Sequence, residues 1–287
     1  MQDRVLSQKK QTPSDLVIRP RDLAFGRNTT NPRWWLGGDP VATAFYNTLS
    51  AAFPQGERFF IESVRNFKHM ATPELQNQIA AFSAQEFIHT REHVVFNRQA
   101  TDAGYDISRI ETFVKGELDF ARTRGKIIQL AITTALEHFT AILAHVLLSD
   151  PRHLEGASEE VRRMWRWHAM EEIEHKGVAF DTYLAATRKL PPFRRWLLRS
   201  VVMAISTVLF FAEIFIGCRE SFRQDGINRP RTWFKLAYYL FAKPGVMRSV
   251  MRDYFSYYRP SFHPWQHDDR ALIAEMDKAL TEQYAAA

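Results

Sequence analysis

The stretch His168-Ala169-Met170-Glu171-Glu172-Ile173-Glu174-His175 decides the fold. Glu172 and His175 are three residues apart and His168 precedes Glu172 by four, so on a helix all three share one face. A second Glu-x-x-His lies upstream in Gln85-Glu86-Phe87-Ile88-His89. Between the two motifs stands Glu137, in Ala135-Leu136-Glu137-His138-Phe139-Thr140. Ahead of both stands Glu57, in Pro54-Gln55-Gly56-Glu57-Arg58-Phe59-Phe60. A lone Glu-x-x-His is common on solvated helices. Two of them, alternating with a Glu on each intervening helix, form the ligand set of a dinuclear metal centre inside a four-helix bundle.

The gaps agree with that geometry. Glu57 and Glu86 are 29 residues apart and Glu137 and Glu172 are 35 apart, each suited to a helical hairpin. His89 and Glu137 are separated by 48 residues, enough for a long crossover. Two metal ions close together repel, and four carboxylates neutralise them while two of the carboxylates bridge. Imidazoles take outer positions. Glu62 competes with Glu57, but Glu57 sits beside Gly56 and the Phe59-Phe60 pair, which suits a buried face. His93, four residues after His89, is expected to support a ligand from behind, with direct coordination or a packed core histidine as the alternatives. His138 points about 100° away from Glu137 and is expected to pack or hydrogen-bond. Asp181 is a candidate to orient a histidine. Glu171 and Glu174 are expected at the surface or behind the ligands.

The sequence resembles the ferritin-like di-iron carboxylate proteins. The extra histidine in His168-x-x-x-Glu172-x-x-His175 is similar to the seventh ligand of the p-aminobenzoate N-oxygenase type, which implies that His168 binds one iron. The stretches around Pro54–Phe60, Ala135–Thr140 and Glu174-His175-Lys176 also resemble the bacterial predicted metal-dependent hydrolases, over about residues 20–270. These resemblances imply two metal ions, with iron favoured over manganese or zinc. The expected activity is oxygen activation to oxidise an apolar or aromatic substrate. The alternative is hydrolysis by hydroxide generated at the dinuclear site. No His-Glu-x-x-His motif is present.

Working outward, the chain has 287 residues, of which 46% are apolar, and Gly and Pro are sparse. The class expected is all-α, a ferritin-like four-helix bundle. Residues 1–40 read as an irregular arm, 41–190 as the bundle and 191–287 as a helical, basic, aromatic-rich extension. Helices are expected over 41–70 (interrupted near Pro54), 73–102, 118–148 and 158–188, with Ser158 as a cap. The first fifteen residues lack an apolar core, so no secretory signal is expected. Cys218, the single cysteine, allows no intrachain disulfide and suits a cytoplasmic location.

Net charge is +6, and 13 Lys/Arg face 4 Asp/Glu between Lys189 and Arg259, a stretch that also holds 15 aromatics. Leu197–Gly217 would just reach across a bilayer. The expectation for 193–258 is burial against the bundle or contact with a membrane surface. No nucleic-acid recognition motif appears, and the partner expected is a small, lipid-like or aromatic substrate.

Overall fold

The computed structural model describes residues 11–285; of the fifteen residues expected to hold no secretory signal, the first ten lie outside the described residues. Among the described residues the fold is all-helical, without strands. Asp39 caps α1 (Pro40–Arg65), accepting from the Val41 amide at 2.7 Å, with Pro40 in the first turn. Thr72 caps α2 (Pro73–Asp102) in the same way. After α3 (Ser108–Arg122) come α4 (Lys126–Ser149) and α5 (Glu159–His175), the latter capped by Ser158. Helices α1 and α2 pack as one pair, α4 and α5 as another, and α6 (Val178–Ala186) continues the line of α5. α7 (Pro192–Gln224) lies against both α1 and α4. α8 (Pro230–Phe241), α9 (Val246–Ser256) and α10 (Arg270–Ala285) complete the chain.

Three expected boundaries are corrected. Helix α1 runs through Pro54 without a break. Proline leaves the Ser50 carbonyl without its helical donor, and Asn97 Nδ2 on α2 replaces that donor at 3.0 Å. The helix expected over 118–148 is two helices, parted at Thr123-Arg124-Gly125, and the first of them fills the crossover. The helix expected over 158–188 breaks at Lys176-Gly177. A Cβ at Gly177 would collide with Thr12 and the Trp265 ring, so the close approach of both chain ends selects glycine there.

The arm is not a loose appendage in its described part. Phe25, Trp35 and Leu36 are buried in the main core, together with Phe45, Trp165, Trp167 and Met170. Every residue from Trp167 to Phe180 is buried, because the arm and α10 cover the side of α5 that faces away from the bundle.

Candidate metal centre

Each of the four bundle helices sends acidic or imidazole side chains to one interior point. Glu57 comes from α1, Glu86 and His89 from α2, Glu137 from α4, and His168, Glu172 and His175 from α5. All seven are buried. Four overlapping sets emerge. Glu86, Glu137, Glu172 and His175 bring ligand-capable atoms within 4.8 Å of one another. Glu57, Glu86 and His89 form a second such set, His89, His168 and Glu172 a third that joins it, and Glu57, His93 and His168 a fourth. Glu86 and Glu172 therefore sit between two positions, as bridging carboxylates would. Glu62, the rival to Glu57, is exposed and paired with Arg122 at 3.0 Å.

The residues present fit a cationic group. Nine buried atoms on these seven side chains have no hydrogen-bond partner: Glu57 Oε1, both oxygens of Glu86 and of Glu137, His89 Nδ1, His168 Nε2, Glu172 Oε2 and His175 Nε2. Unpaired buried polar atoms each cost free energy, so a cluster of them facing one point calls for an ion. Burial, then the neighbouring Glu86 charge, pushes the Glu57 and Glu137 carboxyls well above the usual range. Burial also works against a charged Glu172, but His175 and His168 outweigh it and hold that carboxyl well below normal. For His89 burial again opposes charge, and the carboxylates of Glu171, Glu172 and Glu86 raise it well above normal. Carboxylates that hold a proton so firmly on His89 would hold a metal cation in its place.

The outward nitrogen of each histidine is engaged. His89 Nε2 meets Glu171 at 3.0 Å, and His175 Nδ1 meets Gln85 Oε1 at 3.0 Å. Gln85 is oriented in turn by its amide, which donates to Glu174 at 2.9 Å. His168 is held by a relay whose direction can be deduced. Asn97 donates through Nδ2 to the Ser50 carbonyl, so its Oδ1 accepts from Ser50 Oγ at 2.6 Å. Ser50 Oγ has spent its proton and must accept from His93 Nδ1–H at 2.8 Å. Neutral His93 then presents a bare Nε2, which accepts from His168 Nδ1–H at 2.8 Å. Burial, then neighbouring imidazole charge, lowers the pKa of both rings and keeps them neutral. The relay leaves His168 Nε2 as a lone pair aimed at the centre, 3.1 Å from Glu172.

The same relay places His93 behind His168, as the sequence suggests. His138 does not join. Its ring leans on Tyr257 and Phe262, and Nε2 meets the Asp253 carbonyl at 3.1 Å. Asp181 also serves elsewhere, binding His263 at 3.0 Å and Thr12 at 2.6 Å. Glu171 and Glu174 are buried rather than at the surface, because Arg21 of the arm lies across both at 3.1 Å and 2.8 Å. Sequence reasoning misses Gln85, Ser50, Asn97, Thr90 and Arg21. The spacing of His89, His93 and Asn97 at intervals of four offered a signal for part of the relay. Thr90 donates to Glu57 Oε2 at 2.8 Å.

A cavity of about 110 Å³ adjoins His168 and Glu172, roomy enough for several waters or a stretch of alkyl chain. Its walls are mainly apolar and include Leu49, Phe53, Phe139, Leu143, Leu147 and Phe210. Polar lining is sparse and includes Thr140, His153 and Glu213. His153 is buried, and neither ring nitrogen makes a hydrogen bond, although Nε2 lies 3.8 Å from Asp150. Burial, then its contact with Glu117 of α3, raises the Glu213 carboxyl well above normal.

A family model described as predicted metal-dependent hydrolase matches residues 19–268, nearly the whole described chain. The chain belongs to this family. The matched range includes every member of the seven-residue cluster, whose buried carboxylates and imidazoles could hold a metal ion. Comparisons with curated proteins and with solved structures give no match.

Proposed function

We propose that this chain is a dinuclear metal-dependent hydrolase acting on an apolar substrate. Its two ions would be held by Glu57, Glu86, His89, Glu137, His168, Glu172 and His175. The observation that carries the metal centre is the set of nine buried, unpartnered ligand atoms converging from four helices. The family description favours hydrolysis over oxidation. Ions in such a site polarise a substrate oxygen and lower the pKa of bound water.

The residues of the chain have separate tasks. Glu86 and Glu172 would be shared between the two ions, while Glu57 and Glu137 would supply charge at either end. Glu171, Gln85 and the Ser50–Asn97–His93 relay fix the three imidazoles in orientation. Leu143, Leu147 and Phe210 hold the apolar body of the substrate beside His168 and Glu172 and exclude water there. Oxygen donors and imidazoles without sulfur suit zinc, manganese or iron.

A second reading is oxidation of an apolar or aromatic substrate by a di-iron centre of ferritin-like type. Two observations favour it: the alternating Glu and Glu-x-x-His ligands on four helices, and the apolar wall beside them. Metal content and activity separate the readings. Metal-free protein is loaded with zinc, manganese or iron and assayed for cleavage of p-nitrophenyl esters of increasing chain length. Oxygen uptake by the reduced iron form is followed in parallel. Hydrolysis is expected in the zinc or manganese form, without oxygen uptake. Oxygen consumption coupled to substrate oxidation, with no ester cleavage, would replace hydrolysis by the second reading. Combining Glu86→Ala with Glu172→Ala is expected to abolish metal retention, and undiminished binding would remove the centre itself.

A further inference from the structure

Helix α7 has two faces of different character. Its inner face, with Met203, Phe210, Ile214 and Cys218, is buried against the bundle. Its outer face exposes Phe193, Leu197, Val201, Ile205, Val208 and Phe215 at intervals of three, four or seven. At 1.5 Å per residue that apolar stripe is about 33 Å long. Helices α8 and α9 flank it: Phe215 stacks on Trp233 with centroids 4.9 Å apart, and Thr207 Oγ1 meets the Tyr254 hydroxyl at 2.9 Å. They widen the surface with Phe234, Tyr238, Phe241 and Phe255, of which Phe234 is 72% exposed. Soluble monomers rarely expose so large a contiguous apolar area.

The charges bordering this surface have one sign. Arg194, Arg231, Lys235, Lys243, Arg248 and Arg252 are exposed, and none has an ion-pair partner among the described residues. The four acidic residues between 189 and 259 are all buried or half-buried; Glu213 faces the cavity, and Asp225 is held by Arg33 at 2.7 Å. A second copy docked here would press like charges together. A bilayer bearing anionic headgroups complements both the apolar stripe and its basic surround.

We infer that the α7–α9 face docks in the plane of an anionic lipid bilayer. The helix does not cross the membrane. Although α7 is long and apolar enough to span, its inner side is committed to α1, α3 and α4. Buried Arg199 ties it further, donating to the carbonyls of Tyr257 and Arg259. Phe210 and Glu213 line the cavity from this same helix, so docking brings bilayer-dissolved molecules close to the pocket, a step that rests on the proposed apolar substrate.

Flotation of the full chain with vesicles tests the docking without metal or turnover, so its failure is separate from failure of the catalytic reading. The chain is expected to float with vesicles of equal parts phosphatidylcholine and phosphatidylglycerol, and weakly with phosphatidylcholine alone. The exposed pair Lys235→Gln and Arg252→Gln is expected to weaken partition by about thirtyfold, as two charges lost at the bilayer surface should. Val208→Glu with Phe234→Glu should abolish flotation while leaving the helical circular dichroism unchanged. Absence of flotation on the mixed vesicles would overturn the inference, as would unaltered partition of the charge variant. So would a concentration-dependent dimer dissolved by Val208→Glu, which would assign the face to a second copy. Retention in membranes through an alkaline carbonate wash would overturn in-plane docking in favour of a span.

Discussion

At the scale of single residues, the centre is defined by atoms that face inward with no partner and by the neighbours that turn them inward. Protons and metal ions compete for the same positions. Glu57 and Glu137 are pushed up by burial and by Glu86, and His89 is raised by its carboxylate partners. Metal binding should therefore expel protons, and affinity should fall as pH falls. Titration calorimetry in buffers of different ionisation enthalpy checks this, and a binding heat independent of buffer would contradict it. The relay yields a second expectation. Ser50→Ala removes the acceptor that fixes the His93 tautomer, so His168 no longer presents its lone pair reliably. Metal affinity should drop about tenfold with the fold intact. His168→Ala should cost at least as much, and adding Ser50→Ala to it should cost little more, because both act through one ligand. The clustering of the seven residues was legible from spacing, since helical periodicity aligns residues three and four apart. Gln85 and Arg21 were not, because nothing in a one-dimensional pattern distinguishes an outward amide or an arm guanidinium from solvated polar residues.

At the scale of elements, helix identity followed from caps and periodicity, and the misplaced boundaries have identifiable causes. Pro54 looked like a breaker only because the donor that replaces its missing amide, Asn97, lies on another helix. Gly177 looked tolerable within a helix because Thr12 and Trp265, which leave no room for a Cβ there, come from distant sequence; nothing crowds Gly125. The contact between α3 and α7 carries its own prediction. Glu213 and Glu117 interact in a poorly hydrated setting, and burial raises both carboxyls. A raised carboxyl binds protons more tightly in the folded chain. Its favourable contribution is complete below the unfolded value of about 4.3 and is lost as pH rises through the folded value. Glu213→Gln should remove that loss and stabilise the protein at neutral pH. Chemical denaturation of wild type and variant from acid to neutral pH measures the difference, which should grow with pH. A difference that does not change with pH would mean that Glu213 is not raised in the folded chain.

At the scale of the whole molecule, the metal centre is closed from behind by the two ends of the chain. The expected division into arm, bundle and extension follows the sequence order, yet the packing joins all three around α5. Arg21 of the arm lies between Glu171 and Glu174 of α5 and meets Asp277 of α10 at 2.9 Å. Burial opposes its charge, but the bonds to Glu174 and Glu171 raise its pKa overall, so the guanidinium stays ionised. Glu171 in turn holds His89, and Glu174 holds Gln85 and through it His175. A single arginine thus neutralises the outer supports of two histidines of the cluster. Arg21→Met keeps the length of the side chain and removes the charge, leaving two buried carboxylates uncompensated. The loss of stability expected is about 3 kcal/mol, as for other buried pairs broken on one side. Freed carboxylates would also let both histidines shift, lowering metal affinity by about tenfold. Thermal melts of metal-free and metal-loaded protein separate the effects. The metal-free melt should fall through the lost ion pair, and the gain in melting temperature on adding metal should shrink through the loosened ligands. A variant that melts lower but keeps the full metal-induced gain would show that the arm supports the fold without tuning the centre.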